Sequence, residues 1–166
     1  MEARKESHTS VLIQLQGTSF FGCLVHGTPF VIPALSGKAP PIETVEGFTC
    51  PRFDVLSPPT VETIVDAYEI CEPVTFREAL RALSNRIAYF ALTECQIVEF
   101  INTHIELLRA VKRPTFFLCM ADKQFFIVLI VFWGEFPHVS RFPIDHHYKL
   151  EPQSHYRLIV PKQNPE

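Results

Sequence analysis

The sequence predicts an α+β domain in which a mostly antiparallel sheet packs with about three helices from the middle of the chain. Three observations predict this fold. Strand-like segments near both ends indicate an N-terminal β-meander and C-terminal hairpin strands. Two capping-box motifs open helical patterns in the middle, and an apolar run at 125–133 follows a turn. The 166 residues fit one domain, with a flexible tail at 1–9 and a flexible C-terminus at 161–166.

The first zone is predicted as three strands followed by a long loop. Residues 11–16 alternate in a strand-like way, and strands at 20–25 and 30–32 are separated by a turn that contains Gly27 and Pro29. Residues 33–59 contain six prolines and two glycines. We therefore expect a long proline-rich surface loop there, of the kind that is often functional.

The middle zone is predicted to be helical. Thr75 with Glu78, and Thr93 with Gln96, match the capping box, in which the threonine hydroxyl and the later side chain satisfy free backbone donors reciprocally. Apolar residues then recur on one helical face, which predicts helices at about 75–90 and 93–112. A shorter helix is predicted at 60–70 from the same spacing.

The last zone is predicted as a hairpin of strands 115–121 and 124–133, with further strands near 139–142 and 156–160. The strand at 125–133 is apolar at every position, which is typical of a strand covered on both faces. It ends at Trp133 and Gly134, just before His138. If the domain has an active site, we expect it at this end of the strand.

Composition narrows the classes of partner. A net charge of −3 without a run of Lys or Arg argues against nucleic acid, and the nine-residue apolar run is about half of the roughly 20 residues that a membrane helix needs. Only 20% of residues are charged and fifteen are Phe, which favours an apolar surface covered by a protein partner or by a second copy in a homo-oligomer. The aromatic side chains expected at this surface are Phe48, Phe53, Phe136 and Phe142.

The five cysteines are widely spaced, odd in number and include no CxxC motif. Reduced thiols explain this set better than a disulfide framework. The charged start lacks the apolar segment of a signal peptide. Together these features predict a cytoplasmic protein.

Histidines near the C-terminus form the one candidate for chemistry. His138, His146, His147 and His155 lie within about the last thirty residues, and Asp145 precedes the pair. Imidazole and carboxylate are ligands that a divalent metal such as zinc favours. The candidate metal ligands are His138, Asp145, His146 and His155, and the candidate catalytic residues are His138, Ser140, Asp145 and His146. Surface and edge-strand histidines are the competing interpretation, which has no cofactor.

Two short resemblances point to phosphoesterases. The triplet Asp145, His146 and His147 resembles the DHH motif of a family of metal-dependent phosphoesterases, although no upstream Asp-x-Asp accompanies it. His138 with Ser140 is similar to the second motif of the two-histidine phosphoesterases, whose histidine acts as acid or base while the hydroxyl binds phosphate. A first motif would have to come from His26 with Thr28, or from His8 with Ser10.

Two functions remain open at this point. The first is a non-enzymatic module that binds another protein or itself, and the alternative is a metal-dependent, phosphoesterase-like hydrolase. The sequence contains no catalytic motif specific enough to name a reaction.

Overall fold

In this computed structural model, residues 20–21, 24–27, 29–36, 59–121 and 123–163 are described. They form one sheet that two α-helices flank. The strands are β1 (Phe20–Phe21), β2 (Leu24–His26), β3 (Phe30–Ile32), β4 (Thr63–Ile70), β5 (Ala91–Leu92), β6 (Thr115–Ala121), β7 (Gln124–Trp133), β8 (Phe136–Pro143) and β9 (Arg157–Pro161). The helices are α1 (Phe76–Leu83) and α2 (Glu94–Val111), and short 3-10 helices lie at Ile87–Phe90 and Pro152–Ser154.

The sheet is mixed. Its order is β1-β2-β4-β9-β6-β7-β8, with β3 pairing with β4 and β5 pairing with β6. Both β5 and β9 run parallel to β6, because α2 carries the chain from β5 back to the start of β6 and the last strand then inserts beside β6. The prediction of a mostly antiparallel sheet packed with three helices is therefore wrong.

The segment predicted as a short helix at 60–70 is the strand β4. It pairs with β2 and β3 along one edge and with β9 along the other. Four consecutive residues, from Val65 to Tyr68, are buried. A strand buried on both faces loses the alternation that identifies strands in a sequence, and the apolar spacing that remained imitated a helix.

Two other elements differ in extent from their predictions. Both capping boxes form, but α1 ends at Leu83 rather than near residue 90, because Ser84 adopts an extended conformation. The strand predicted at 20–25 is a two-stranded hairpin of β1 and β2. The helix at α2 and the hairpin of β6 and β7 are confirmed.

Two apolar clusters lie on opposite faces of the sheet. Successive side chains of β6 point in opposite directions and therefore belong to different clusters. Phe116 and Leu118 face α1 with Phe76 and Leu80, and we call this side the α1 face. Phe117 and Cys119 point to the opposite side, which we call the α2 face. There they pack with α2 residues, among them Ile97, Phe100, Ile101 and Leu108. The prediction that the apolar strand β7 is covered on both faces is confirmed, since its residues 127–130 divide between the two clusters.

The strand β8 forms one edge of the sheet and contains Pro137 and Pro143. Proline lacks a backbone N–H and is confined within sheets to edge strands, strand starts or bulges. No helix of the described ranges is long and apolar enough to cross a membrane. The predicted strand at 11–16, the tail at 1–9, and Phe48 and Phe53 in the predicted loop lie outside the described residues.

Candidate functional sites at one end of the sheet

The histidines predicted to form a metal site lie in separate surroundings. His138 stacks on Trp133, with ring centroids 3.9 Å apart. His146 contacts the ring of Phe142 at 5.1 Å. The Nδ1 atom of His155 lies 2.8 Å from the carboxylate Oε1 of Glu69 on β4.

His138 and His146 are kept apart because His138 lies near the start of β8 and His146 lies beyond its end. Pro143 lies five positions after His138 along the extended strand, or roughly 17 Å at the usual rise of a strand. Asp145 lies beyond Pro143 and is ion-paired with Arg77 of α1. This guanidinium holds the pKa of the Asp145 carboxyl below its usual range.

Within the described part of the chain, no group of three or more His, Cys, Asp or Glu side chains could hold a metal ion. The zinc site at His138, Asp145, His146 and His155 stays a prediction, and elemental analysis of untagged protein is its test. His147 is exposed next to His146.

The resemblance to two-histidine phosphoesterases has one motif in place. His138 and Ser140 lie two residues apart on β8, so both point to the α1 face. The strand β2, which contains His26, is five strand spacings away across the sheet, or about 24 Å. The other candidate, His8, lies outside the described residues. A pair of facing motifs is therefore not formed by His26 and His138.

The predicted aromatic surface has one side chain that the structure locates. Phe142 is half-buried and packs against the α1 face, where its ring stacks on Phe76 at 6.0 Å. Its role in the fold is thus to hold α1 on the sheet. For Phe136 the structure gives the strand position only, at the start of β8.

The aromatic side chain that stands out from the surface is Trp133. It is the chain's only tryptophan, and its side chain is 68% exposed. Gly134 follows it with a φ of +64°, a left-handed conformation that favours glycine and turns the chain tightly into β8. The turn is linked to α2 by an ion pair of 3.1 Å between Lys112 Nζ and Glu135 Oε1. We call Trp133, His138, Lys112 and Glu135 the hairpin tip.

A group of charged side chains lies at the same end of the sheet. Glu69 of β4 accepts from His155 and lies 3.7 Å from Arg113, measured from its Oε2 to the guanidinium Nη1. Arg157 of β9 is the direct cross-strand neighbour of Glu69. We call Glu69, Arg113, His155 and Arg157 the end cluster.

The strand register shows that the two groups share an end. Arg157 aligns with Thr115 at the start of β6, and Thr115 aligns with Ile130 near the end of β7. Trp133 lies three residues beyond Ile130. The hairpin tip therefore projects past the row in which the end cluster lies.

An ion pair between a buried carboxylate and an exposed arginine lies on the α2 face at the other end of the sheet. Glu94, in the first turn of α2, is 5% exposed and lies 3.1 Å from the Arg141 guanidinium. That guanidinium also lies over the ring of Phe126, 4.8 Å from its centroid. Burial and the nearby Glu94 carboxylate raise the pKa of the Cys119 thiol to about 12. A thiol with such a pKa is not a nucleophile at neutral pH. What the ion pair of Arg141 with Glu94 does is link β8 to α2.

Sequence reasoning identified the end of β7 as a place to look but not the end cluster. Arg113 and Arg157 are far apart in the chain, and only the parallel pairing of β6 with β9 brings them together. The signal available was weak: a proline-terminated helix that ends in Lys112 and Arg113.

Comparison of the chain with known protein families, with curated proteins and with solved structures found no match.

Proposed function

We propose that this protein is a non-enzymatic module that self-associates through the hairpin tip, with a second copy of the chain as the occupant. The observation that carries the proposal is the 68% exposure of Trp133 at the end of a strand whose four central residues, 127–130, are buried in the core. Tryptophan is among the residues that most often dominate binding energy at protein interfaces. A cytoplasmic location and the absence of a nucleic-acid partner belong to the same proposal.

The tip is arranged for contact before any partner arrives. The tilted stack of Trp133 on His138 and the tight turn at Gly134 restrict the indole, so less side-chain entropy is lost on binding. The imidazole covers part of one face of the indole, and the side chain as a whole remains 68% exposed. An apolar centre of this kind, bordered by charged groups, is the usual anatomy of an interface.

The charges at the tip favour a second copy as partner. Lys112 and Glu135 carry opposite charges, lie side by side, and are 51% and 68% exposed. In a two-fold symmetric dimer the same patch meets itself, so Lys112 of one copy can pair with Glu135 of the other. The low share of charged residues in the chain also supports a covered apolar surface.

Sedimentation equilibrium over a wide range of concentrations tests the proposal. We expect a reversible dimer, with the Trp133→Ser substitution weakening association at least tenfold because it removes the aromatic anchor. The fluorescence of the single tryptophan should shift to shorter wavelength as the dimer forms. Met120→Ser is the matched control, because Met120 is also exposed but lies at the opposite end of the same face.

Charge reversal distinguishes pairing between copies from pairing within one copy. Lys112→Glu and Glu135→Lys each place like charges at the tip and should weaken the homodimer. In a mixture of the two variants, every contact between copies regains opposite charges while the pairs within each copy stay broken. Preferential formation of the mixed dimer is expected. A protein that stays monomeric at all concentrations contradicts the proposal, and so does association that Trp133→Ser leaves unchanged.

A further inference from the structure

We propose that the end cluster is a binding site for an oxyanion, meaning a carboxylate or phosphate group, held by Arg113, Arg157 and His155. This inference does not depend on self-association through the hairpin tip. It rests on the position and charge of the four end-cluster side chains.

The fold holds the two arginines close together. Arg157 begins β9 and donates its backbone N–H to the carbonyl of Pro114 at 2.8 Å. Arg113 is the residue before that proline. Its carbonyl accepts a hydrogen bond of 3.1 Å from the Thr115 hydroxyl. The chain that follows Arg113 is therefore held to the sheet by hydrogen bonds at two successive carbonyls, those of Arg113 and Pro114.

The Glu69 carboxylate contacts two of the three basic side chains in the end cluster. Glu69 uses Oε1 for His155 and Oε2 for Arg113, and these are the two oxygens it has. Among the described residues of the end cluster, two guanidinium groups thus lie beside a single carboxylate. The nearness of Arg113 and the burial of Arg157 act in the same direction, since burial first and this repulsion second lower the pKa of Arg157.

A second anion would relieve this imbalance. Guanidinium groups present paired N–H donors that match the oxygens of carboxylate and phosphate. The side chains of Arg113 and His155 are 45% and 60% exposed, so an incoming group can reach them without opening the fold. Arg157, half-buried between Glu69 and Thr115 in the strand register, would form the floor of the site.

The test is an NMR titration of the whole protein at neutral pH and constant ionic strength. Inorganic phosphate and acetate are the two probes, and chloride is the reference salt. We expect saturable shifts of the Arg113 side-chain N–H and the His155 ring signals. Arg113→Gln should weaken binding at least fivefold. Arg86→Gln, which removes an exposed arginine outside the end cluster, should leave binding unchanged.

The outcomes separate the two ligand classes and the two proposals. A response to phosphate alone assigns a phosphate site, a response to acetate alone assigns a carboxylate site, and a response to both assigns a general oxyanion site. Repeating the titration with Trp133→Ser protein keeps the result independent of self-association. Shifts in phosphate and acetate that equal those in chloride would overturn the proposal, as would unchanged binding by Arg113→Gln.

Discussion

The two faces of the sheet are covered in different ways. On the α2 face, one helix of 18 residues supplies most of the cover that the described residues provide, and its buried Glu94 carboxylate is ion-paired with Arg141 of the edge strand β8. On the α1 face, an eight-residue helix shares the cover with the 3-10 helix at Ile87–Phe90 and with residues from the segment that follows β8. The α1 face is closed by several short elements and the α2 face by one long one.

The ion pairs differ between the faces in the same way. Arg77 with Asp145 and Glu78 with Lys149 join α1 to the segment after β8, and both pairs lie at the exposed surface. Surface pairs contribute little to stability, whereas removing the partner of a buried carboxylate such as Glu94 is costly. We therefore expect the α2 face to resist local opening, while the short elements of the α1 face adjust more easily.

The largest expected difference comes from two neighbouring residues of β6. Phe116 contacts Phe76 of α1 and Phe117 contacts Phe100 of α2, and both side chains are fully buried. Truncating either to alanine should lower the free energy of unfolding by about 3–5 kcal/mol. We expect the larger loss for Phe117→Ala, because one long helix relaxes less into a cavity than several short elements do. Urea denaturation followed by circular dichroism measures both, and a larger loss for Phe116→Ala would contradict the comparison.

A smaller difference is expected from the ion pairs. Arg141→Ala removes the guanidinium that neutralises the buried Glu94 carboxylate, and should cost about 1–3 kcal/mol. Lys149→Ala, which breaks an exposed pair with Glu78, should cost less than about 1 kcal/mol. A double-mutant cycle with Glu94→Gln isolates the coupling at the α2 face. Equal costs for the two single substitutions would show that burial of the Glu94 pair does not matter.

The smallest expected effect concerns pH. His104 of α2 lies against Phe30 and Phe100, with ring centroids 4.9 and 4.6 Å away, and burial lowers the pKa of its imidazole. The unfolded chain therefore binds this proton at higher pH than the folded protein does. Stability from the neutral imidazole is present above the ordinary histidine pKa of about 6.5 and is lost as pH falls below it.

His104→Leu should flatten the fall in unfolding free energy between neutral and mildly acidic pH. The same substitution at exposed His147 is the control for the loss of one histidine. Denaturant titrations across this pH range give the slope. An identical slope in wild type and His104→Leu would remove His104 as its source.

Local signals in the sequence predicted the starts of the two described α-helices and one hairpin, although the predicted fold class was wrong. The capping boxes at Thr75 and Thr93 place the starts of both α-helices correctly, because side-chain hydrogen bonds within four residues define a helix start. The β6–β7 hairpin was also predictable, since its strands are neighbours in the chain. The structure places Lys123 in the turn with a φ of +62°.

Elements set by distant parts of the chain were not predictable. β4 resembles a helix in sequence because it is buried on both faces, with Tyr68 in the cluster of the α1 face and Val65 in the cluster of the α2 face. Its central position in the sheet depends on β9, which pairs with it from more than eighty residues later. The histidines near the C-terminus looked like a cluster because they are close in sequence. An extended β8 and a turn after it separate them in space, while the arginines of the end cluster come together across 43 intervening residues.

The prolines of β8 have a consequence for how copies of this protein can meet. An edge strand normally invites another strand to extend the sheet, and long runs of such pairing lead to fibres. Pro137 and Pro143 lie six residues apart, so the donors they lack fall on the same lateral side of β8. Proline is tolerated only where the neighbouring strand requires no N–H donor. Both missing donors therefore lie on the side of β8 that faces away from β7. Addition of a further strand at the β8 edge is therefore unfavourable. Association of two copies must then depend on side-chain contacts rather than on backbone pairing.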